Sequence, residues 1–267
     1  MPDQNKIIVA FDLYGTLLST ESIANELAKH FGHDAAKAVA SLWRRYQLEY
    51  TWRLNSMRMS LPFCVCLKNT NTRSGLYRPF SEVTLGALRH ALAESNLSLS
   101  TQDEQGLMKA YDSLHVFPEV PQALQKLIED RDAAAAYVFS NGTHDMVSAS
   151  VMNSPDLKPY VDLFEGRLVT VDEVQAFKPS RHVYEHLLHK VGKPLHDPQD
   201  VWLVSGNPFD VVGAKAAGFE TVWIDRAGKG WTDRLGDDAG GEEWCPVTVT
   251  GVDAAVDHIL QSRMAAN

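Results

Sequence analysis

Cysteine and positive charge are both scarce in this chain. Among its 267 residues there are three cysteines, Cys64, Cys66 and Cys245, an odd number without a CxxC pair. This argues against a disulfide framework and against a cysteine-built zinc site. Lys and Arg total 25 against 34 Asp and Glu, which gives a net charge of −9. Because nucleic acids and anionic membranes bind basic surfaces, we expect neither of them as a partner.

Long hydrophobic runs are also missing. The apolar stretch Ile7–Phe11 is far too short to cross a bilayer, and the residues before it do not form a signal-peptide pattern. We therefore expect a cytoplasmic protein. The hydrophobic content of 45% still allows a large buried core, either as one domain or as a core with an inserted cap.

Short apolar runs of strand length, each bounded by polar or glycine-containing turns, alternate with amphipathic helical stretches. These runs are Ile7 to Phe11, Ala134 to Phe139, Val201 to Val204 and Thr221 to Ile224. Such alternation predicts an α/β fold, a Rossmann-like parallel sheet covered by helices.

The long interval after the first predicted strand breaks this rhythm. From Thr20 to about His115 the apolar spacing is almost entirely helical. We interpret residues 19–116 as a helical cap subdomain inserted into a core formed by residues 1–18 and 117–267. Within the cap, residues 58–75 have no helical period and end in a polar run, which indicates an irregular insertion between two helices.

The first predicted strand leads directly into Asp12-Leu13-Tyr14-Gly15-Thr16. A carboxylate at the carboxyl end of a buried parallel strand lies where open α/β sheets bind ligands, and it can act as a covalent nucleophile. Expelling an alkoxide is helped by a neighbouring acid, but position +2 is Tyr14. A halide is a very weak base and leaves unprotonated, so Asp12 without a second acid favours carbon–halogen cleavage over phosphate-ester cleavage.

Two further predicted strands also end in polar residues. Ser140-Asn141-Gly142-Thr143 supplies a hydroxyl, an amide and a flexible turn, which suit a carboxylate or a halide. After the strand at 201–204 come Ser205, Asn207 and Asp210. Magnesium prefers carboxylate oxygens, and the neutral Asn207 leaves only Asp210 to join Asp12, so we expect no metal site. Lys178, just before Pro179, is predicted to lie in a loop ahead of the helix that carries Tyr184.

These segments, taken in order, resemble the haloacid dehalogenase superfamily, and they are most similar to its L-2-haloacid dehalogenases. The resemblance covers nearly the whole chain outside residues 58–75. Its specific part combines Phe11-Asp12-Leu13-Tyr14-Gly15-Thr16, Leu42-Trp43-Arg44, Gln47-Leu48-Glu49-Tyr50-Thr51-Trp52, Ser140-Asn141-Gly142, Lys178-Pro179, and Ser205-Gly206-Asn207 with Asp210. One departure is Phe209, which stands where such dehalogenases often have a larger aromatic residue.

The resemblance implies a two-step reaction without a cofactor. Asp12 would attack Cα of a short 2-haloalkanoate, expel halide and form an ester, which water would split at the aspartyl carbonyl to give a 2-hydroxyacid of inverted configuration. An anionic nucleophile and an anionic substrate need compensating positive charge, which without a metal must come from Arg44 and Lys178. A homodimer is compatible with the resemblance.

The resemblance also implies roles for the other matched residues. Arg44 and Asn141 would receive the departing halide, in a pocket lined by Phe80. Ser140 and the backbone amides of Leu13 and Tyr14 would hold the substrate carboxylate. The residues that would orient Asp12, Lys178 and the hydrolytic water are Thr16, Ser205, Asn207, Asp210 and, in support, Tyr184.

Two other functions stay open at the level of the sequence. One is a magnesium-dependent phosphatase of the same superfamily, whose turnover a chelator would abolish. The other is a catalytically silent protein that binds a small carboxylate, for which Asp12→Asn would change no measurable activity. The preferred halogen, the chain length of the acid and the physiological substrate do not follow from the residues.

Overall fold

A six-stranded parallel sheet forms the centre of the protein, with the strands in the order β3-β2-β1-β4-β5-β6. The computed structural model describes residues 3, 5–59, 77–196, 198, 200–235 and 244–266. The strands are β1 Ile7–Phe11, β2 Ala134–Ser140, β3 Leu168–Thr170, β4 Val201–Ser205, β5 Glu220–Ile224 and β6 Val247–Val249. The predicted α/β fold with a parallel sheet is confirmed.

Two of these strands were not predicted from the sequence. β3 and β6 are three residues long and lie at the two edges of the sheet. β6 has no buried residue, whereas every residue of β1, β2 and β4 is buried. A three-residue edge strand is too short to produce an apolar run, so only its hydrogen bonds to a neighbour define it.

Helices flank the sheet and fill the interval between its first two strands. Among the described residues, five α-helices lie between β1 and β2 in the chain: α1 Glu21–Phe31, α2 His33–Met59, α3 Phe80–Glu94, α4 Thr101–Ala110 and α5 Val120–Glu129. The α-helices after β2 are α6 His144–Asn153, α7 Arg181–Val191, α8 Pro208–Ala216 and α9 Val252–Ala266. None of the helices in the described part of the chain is both long and apolar enough to cross a membrane.

The segment that leads out of the sheet before α1 and the segment that leads back after α4 lie side by side. Leu18 forms an antiparallel bridge with Val116, and the Phe117 amide donates to the Leu17 carbonyl at 3.1 Å. This pairing lies at the predicted boundary of the helical cap, although the division at 18/19 and 116/117 stays a prediction. Of the predicted insertion, Arg58 and Met59 belong to α2, which corrects its start; residues 60–75 lie outside the described residues.

Strand order places the carboxyl end of β1 at a switch point. From β1 the chain continues to β2 and β3 on one side, and then to β4, β5 and β6 on the other. Phe11, the last residue of β1, is paired with Val138 and Val204, so the three central strands end at nearly the same level. Crevices at such switch points are where open α/β sheets bind ligands, and Asp12 follows β1 there.

Candidate active site

Asp12 is the centre of a hydrogen-bonded network at the switch point. Its side chain is almost fully buried, and three side chains donate to its carboxylate. Thr16 Oγ1 and Asn207 Nδ2 donate to Oδ2 at 2.9 and 2.7 Å, and Lys178 Nζ lies 3.3 Å from Oδ1. The carboxylate is therefore fixed in orientation by its donors.

Lys178 connects Asp12 to a second buried carboxylate. Its side chain is 1% exposed, and Nζ donates to Asp210 Oδ2 and to the Phe139 carbonyl, both at 2.7 Å. The ammonium also lies 4.1 Å from the centre of the Phe139 ring. A fully buried ammonium requires such partners, because removing an ion from water costs on the order of several kcal/mol.

Asp210 is held on its other side by Tyr184. The phenol donates to Asp210 Oδ1 at 2.8 Å, and both residues are fully buried. Burial raises the pKa of Asp210 above its usual value, although the Lys178 ammonium acts in the opposite direction. Burial, together with the charge of Asp210, also raises the pKa of Tyr184 well above that of an exposed tyrosine. The phenol therefore stays protonated and acts as a permanent donor.

The loop after β4 lies directly against the loop after β1. The Gly206 amide donates to Thr16 Oγ1 at 2.9 Å, and the Asn207 amide donates to Ser205 Oγ at 3.1 Å. A Cβ on Gly206 would lie 2.6 Å from the Gly15 carbonyl oxygen, so the two loops are in direct backbone contact. Ser205 thus orients Asn207, and Thr16 links Asp12 to the neighbouring strand end.

Arg44 reaches this cluster from α2. Its Nη2 donates to Asn207 Oδ1 at 3.1 Å and to the Tyr14 carbonyl at 3.3 Å. Nη1 lies 3.4 Å from Oε1 of the fully buried Gln47, which also accepts a hydrogen bond from Tyr111 at 3.2 Å. A second cation is therefore placed beside the loop after Asp12 by a helix inserted between β1 and β2.

Aromatic side chains form the apolar wall beside the Asp12 loop. The Tyr14 ring stacks on Phe80 with ring centres 6.2 Å apart, and Tyr111 lies 5.5 Å from it at a tilt. Burial raises the pKa of Tyr14, whose Oη lies 3.4 Å from Ser150 Oγ. At position +2 the chain thus offers an uncharged, immobilised ring. Leu13, beside it, is fully buried, and its carbonyl accepts the amides of the following turn.

Ser140 ends β2 and Asn141 follows it, next to the lysine. Ser140 Oγ accepts a hydrogen bond from the Gly142 amide at 3.1 Å, and Asn141 Oδ1 accepts one from the Lys178 amide at 2.9 Å. In this structure both side chains support the turn and the lysine loop. Contacts of these residues with a substrate stay a prediction.

The donor set around Asp12 does not suit magnesium, which prefers oxygen ligands. Among the described residues that bond the Asp12 carboxylate, Lys178 and Asn207 do so through nitrogens, and the carboxylate of Asp210 is already paired with Lys178 and Tyr184. In the described ranges, no three His, Cys, Asp or Glu side chains are grouped to hold a metal ion. The arrangement instead offers an oriented carboxylate with two nearby cations, which suits attack on an anionic electrophile.

Comparison with known proteins agrees with this geometry. A family model described as haloacid dehalogenase-like hydrolase matches residues 8–218, which is well over half of the chain. This chain belongs to the haloacid dehalogenase-like hydrolases. It is therefore an enzyme of the hydrolase class, and the predicted family is confirmed.

Curated relatives of this haloacid dehalogenase-like hydrolase match most of its length. It is 32% identical over 220 residues to an (S)-2-haloacid dehalogenase from Pseudomonas sp. (strain YL), which covers 82% of this chain and 83% of the relative. It is 33% identical to haloacetate dehalogenase H-2 from Moraxella sp. (strain B), and the match covers 85% of this chain and 89% of the relative. A solved L-2-haloacid dehalogenase from Xanthobacter autotrophicus with chloropropionic acid covalently bound superposes with a TM-score of 0.73. That structure is 25% identical, and the superposition covers 96% of this chain and 98% of the other.

Two residues of this hydrolase's site, Gln47 and Arg226, were given no role from the sequence. Gln47 orients Arg44, and its signal is a polar residue within the buried spacing of α2, three positions after Arg44. Arg226, which follows β5, donates to the Thr16 carbonyl at 2.8 Å and pairs with Glu119 at 2.6 Å. Nothing in the local sequence distinguishes Arg226 from a surface arginine, because its partners lie on remote loops.

Proposed function

We propose that this protein hydrolyses short (S)-2-haloacids to (R)-2-hydroxyacids and halide, through an ester on Asp12 and without a metal. The observation that carries the proposal is the combination of a donor-fixed Asp12 carboxylate with an aromatic Tyr14 at position +2. A leaving alkoxide would benefit from an acid at that position, whereas a halide leaves with its electron pair and needs no proton.

In the first step, a carboxylate oxygen of Asp12 attacks Cα of the haloacid from the side opposite the halogen. The C–O bond forms as the carbon–halogen bond breaks, which inverts the configuration at Cα. Arg44, beside the Tyr14 carbonyl, and Asn141 receive the halide against the ring of Phe80, and Ser140 with the amides of Leu13 and Tyr14 holds the substrate carboxylate.

In the second step, water attacks the carbonyl carbon of the Asp12 ester. The acyl C–O bond breaks, the departing oxygen takes a proton as the 2-hydroxyacid, and Asp12 regains its carboxylate with one oxygen from water. The overall reaction consumes one water and releases halide and one proton. Because the Cα–O bond stays intact, the inverted configuration is retained in the product.

Charge supports the same assignment. Asp12 and Asp210 carry two negative charges, and Lys178 and Arg44 carry two positive ones within the same network. An incoming carboxylate therefore meets a site that is neutral overall, where preorganised cations offset its repulsion from Asp12. Names of relatives agree with this substrate class, since they include (S)-2-haloacid dehalogenase and haloacetate dehalogenase.

The proposal is tested by halide release from the separate L and D isomers of 2-chloropropionate in the presence of a chelator. We expect release from the L isomer only, and its loss in Asp12→Asn. Asp132→Asn, which changes an exposed carboxylate, is the matched control and should retain full activity. No release by the folded wild type from either isomer would overturn the proposal, and turnover of a phosphate ester that the chelator abolishes would favour the phosphatase.

The ester intermediate has its own test. In a single turnover in ¹⁸O-water with enzyme in excess, the peptide that contains Asp12 should gain the label while the hydroxyacid stays unlabelled. Label in the hydroxyacid instead would show direct attack of water on Cα and would contradict the nucleophilic role of Asp12.

A further inference from the structure

Phe177, the residue before the catalytic lysine, is held through its backbone by a side chain of α2. Asn55 Nδ2 donates to the Phe177 carbonyl at 2.7 Å, and Asn55 Oδ1 accepts from the Phe177 amide at 2.9 Å. One side chain thus binds both backbone groups of Phe177. A residue bound in this way cannot rotate without breaking at least one of the two hydrogen bonds.

The Phe177 carbonyl and the Lys178 amide belong to the same peptide unit. Asn55 holds the carbonyl end of that unit, and Asn141 Oδ1 holds its amide end at 2.9 Å. Because a peptide unit is planar, fixing both ends fixes its orientation. That orientation sets the direction in which the Lys178 side chain leaves the backbone toward Asp12 and Asp210.

The Phe177 ring is also enclosed. Tyr77 stacks on it with ring centres 5.3 Å apart, and Phe80 lies 6.3 Å away at a tilt. The side chain is fully buried. Phe177 therefore cannot follow a displaced backbone without disturbing Phe80, the residue assigned to the halide pocket.

Asn55 shares its helix with Arg44. The two residues are 11 positions apart in α2, and at about 3.6 residues per turn this is close to three full turns, so they lie on nearly the same face. Arg44 contacts the nucleophile loop, and Asn55 contacts the lysine loop. A single rigid helix therefore sets the positions of both cations relative to Asp12.

We propose that Asn55 is a positioning residue for Lys178, which aligns the ammonium with Asp12 by holding the Phe177–Lys178 peptide unit. This inference rests on the proposed dehalogenation, since it concerns the lysine of that reaction. Asn55 itself does not contact the reacting atoms. Its loss should therefore lower the rate of the chemical steps more than it weakens substrate binding.

The test compares Asn55→Leu, which removes both hydrogen bonds, with Asn55→Asp, which keeps the acceptor and loses the donor to the carbonyl. Met57→Ala, an exposed position two residues further along α2, is the matched control. We expect kcat for L-2-chloropropionate to fall by about 10- to 100-fold in both Asn55 variants, as for a small misplacement of a catalytic group, with KM changed less than threefold. The control should match the wild type.

A second readout does not depend on activity. The Lys178 amide is bonded to Asn141, not to Asn55, so its hydrogen exchange reports the orientation of the shared peptide unit. We expect this amide, followed by NMR in folded protein, to exchange at least fivefold faster in the Asn55 variants and at the wild-type rate in Met57→Ala.

Two results would overturn the inference. One is a raised KM with kcat of the folded protein unchanged, which would show that Asn55 only anchors α2. The other is an unchanged exchange rate of the Lys178 amide. A wild type that releases no halide from any 2-haloacid would sink the proposed function, and the exchange rate of Lys178 would still decide whether Asn55 orients the peptide unit.

Discussion

At the scale of single residues, the site depends on two positions where a neutral side chain stands in place of an acid. Tyr14 presents an aromatic ring where a phosphate-cleaving relative would have an acid, and Asn207 donates an N–H to Asp12 where a metal site would need a carboxylate. Tyr14 thus directs apolar surface toward Asp12, and Asn207 directs a donor toward it. The remaining acid, Asp210, is occupied by Lys178 and Tyr184.

The Tyr184 hydroxyl should stabilise both the fold and the lysine position. Tyr184→Phe removes a donor from the buried Asp210 carboxylate, and we expect it to lower the free energy of unfolding by about 1–3 kcal/mol at neutral pH. We also expect a lower kcat, since Asp210 orients Lys178. Denaturant titration and steady-state halide release measure the two effects.

The difference in the free energy of unfolding between wild type and Tyr184→Phe depends on pH with a definite sign. The folded pKa of Tyr184 is raised above the usual 10.0, so its contribution is fully present below pH 10 and is lost as pH rises further, when the unfolded phenol ionises. The stability difference between wild type and Tyr184→Phe should therefore be constant from neutral pH to about pH 9 and shrink above pH 10. A difference that grows with pH would contradict this account.

At the scale of elements, α7 and α8 pack closely enough to fix the loop that precedes each of them. A Cβ on Gly213 of α8 would meet Tyr184 Oη of α7, and it would lie 2.6 Å from Pro179 Cβ. Pro179 directly follows Lys178, and Asp210 lies in the first turn of α8. The helix contact and the Lys178–Asp210 ion pair therefore depend on the same small residue.

Gly213→Ala should destabilise the protein although alanine favours helix. The added methyl group overpacks the contact, and we expect a loss of about 1–3 kcal/mol in the free energy of unfolding. Gly106→Ala, in α4 with no atom within 4 Å of its added Cβ, is the control and should stabilise by about 0.5–1 kcal/mol. Equal effects of the two substitutions in denaturant titrations would refute the packing argument.

At the scale of the whole molecule, α2 joins the helices inserted after β1 to the loops at the carboxyl ends of the strands. It contacts the loop after Asp12 through Arg44, the loop before Lys178 through Asn55, and α8 through Trp52, whose ring lies edge-on to Phe209 at 5.5 Å. Phe209 and Phe177 each precede one member of the Lys178–Asp210 pair. The homodimer, the cytoplasmic location and the exact division into core and cap stay predictions.

The contact between Trp52 and Phe209 should couple α2 to the sheet. We expect a double-mutant cycle of Trp52→Ala and Phe209→Ala to give a coupling of about 0.5–1.5 kcal/mol in the free energy of unfolding, the usual value for an edge-to-face pair. Met152→Ala, at an exposed position on α6, should be additive with Trp52→Ala. Additivity of Trp52→Ala with Phe209→Ala would show that the rings do not couple.

Much of the site was predictable because its residues follow strands. Asp12, Ser140 and Ser205 stand at the ends of three apolar runs, and parallel strands bring their carboxyl ends to one edge. The four longest strands and the helical interval followed from periodicity in the same way. Arg44 was found only through resemblance, because a helix surface does not reveal which residue faces a distant loop.

The sequence by itself determined the α/β class, the place of Asp12 at the end of the first strand and the neutral residues that follow in the motifs, since strand periodicity and residue type are local properties. Only the tertiary structure decided that Lys178 lies between Asp12 and Asp210, and that Asn55 holds Phe177 across 122 positions of the chain. The three-residue edge strands were decided in the same way, by pairing with a neighbour. The physical reason is that these contacts arise from packing between remote segments, and the position of a buried charge depends on all of its partners at once.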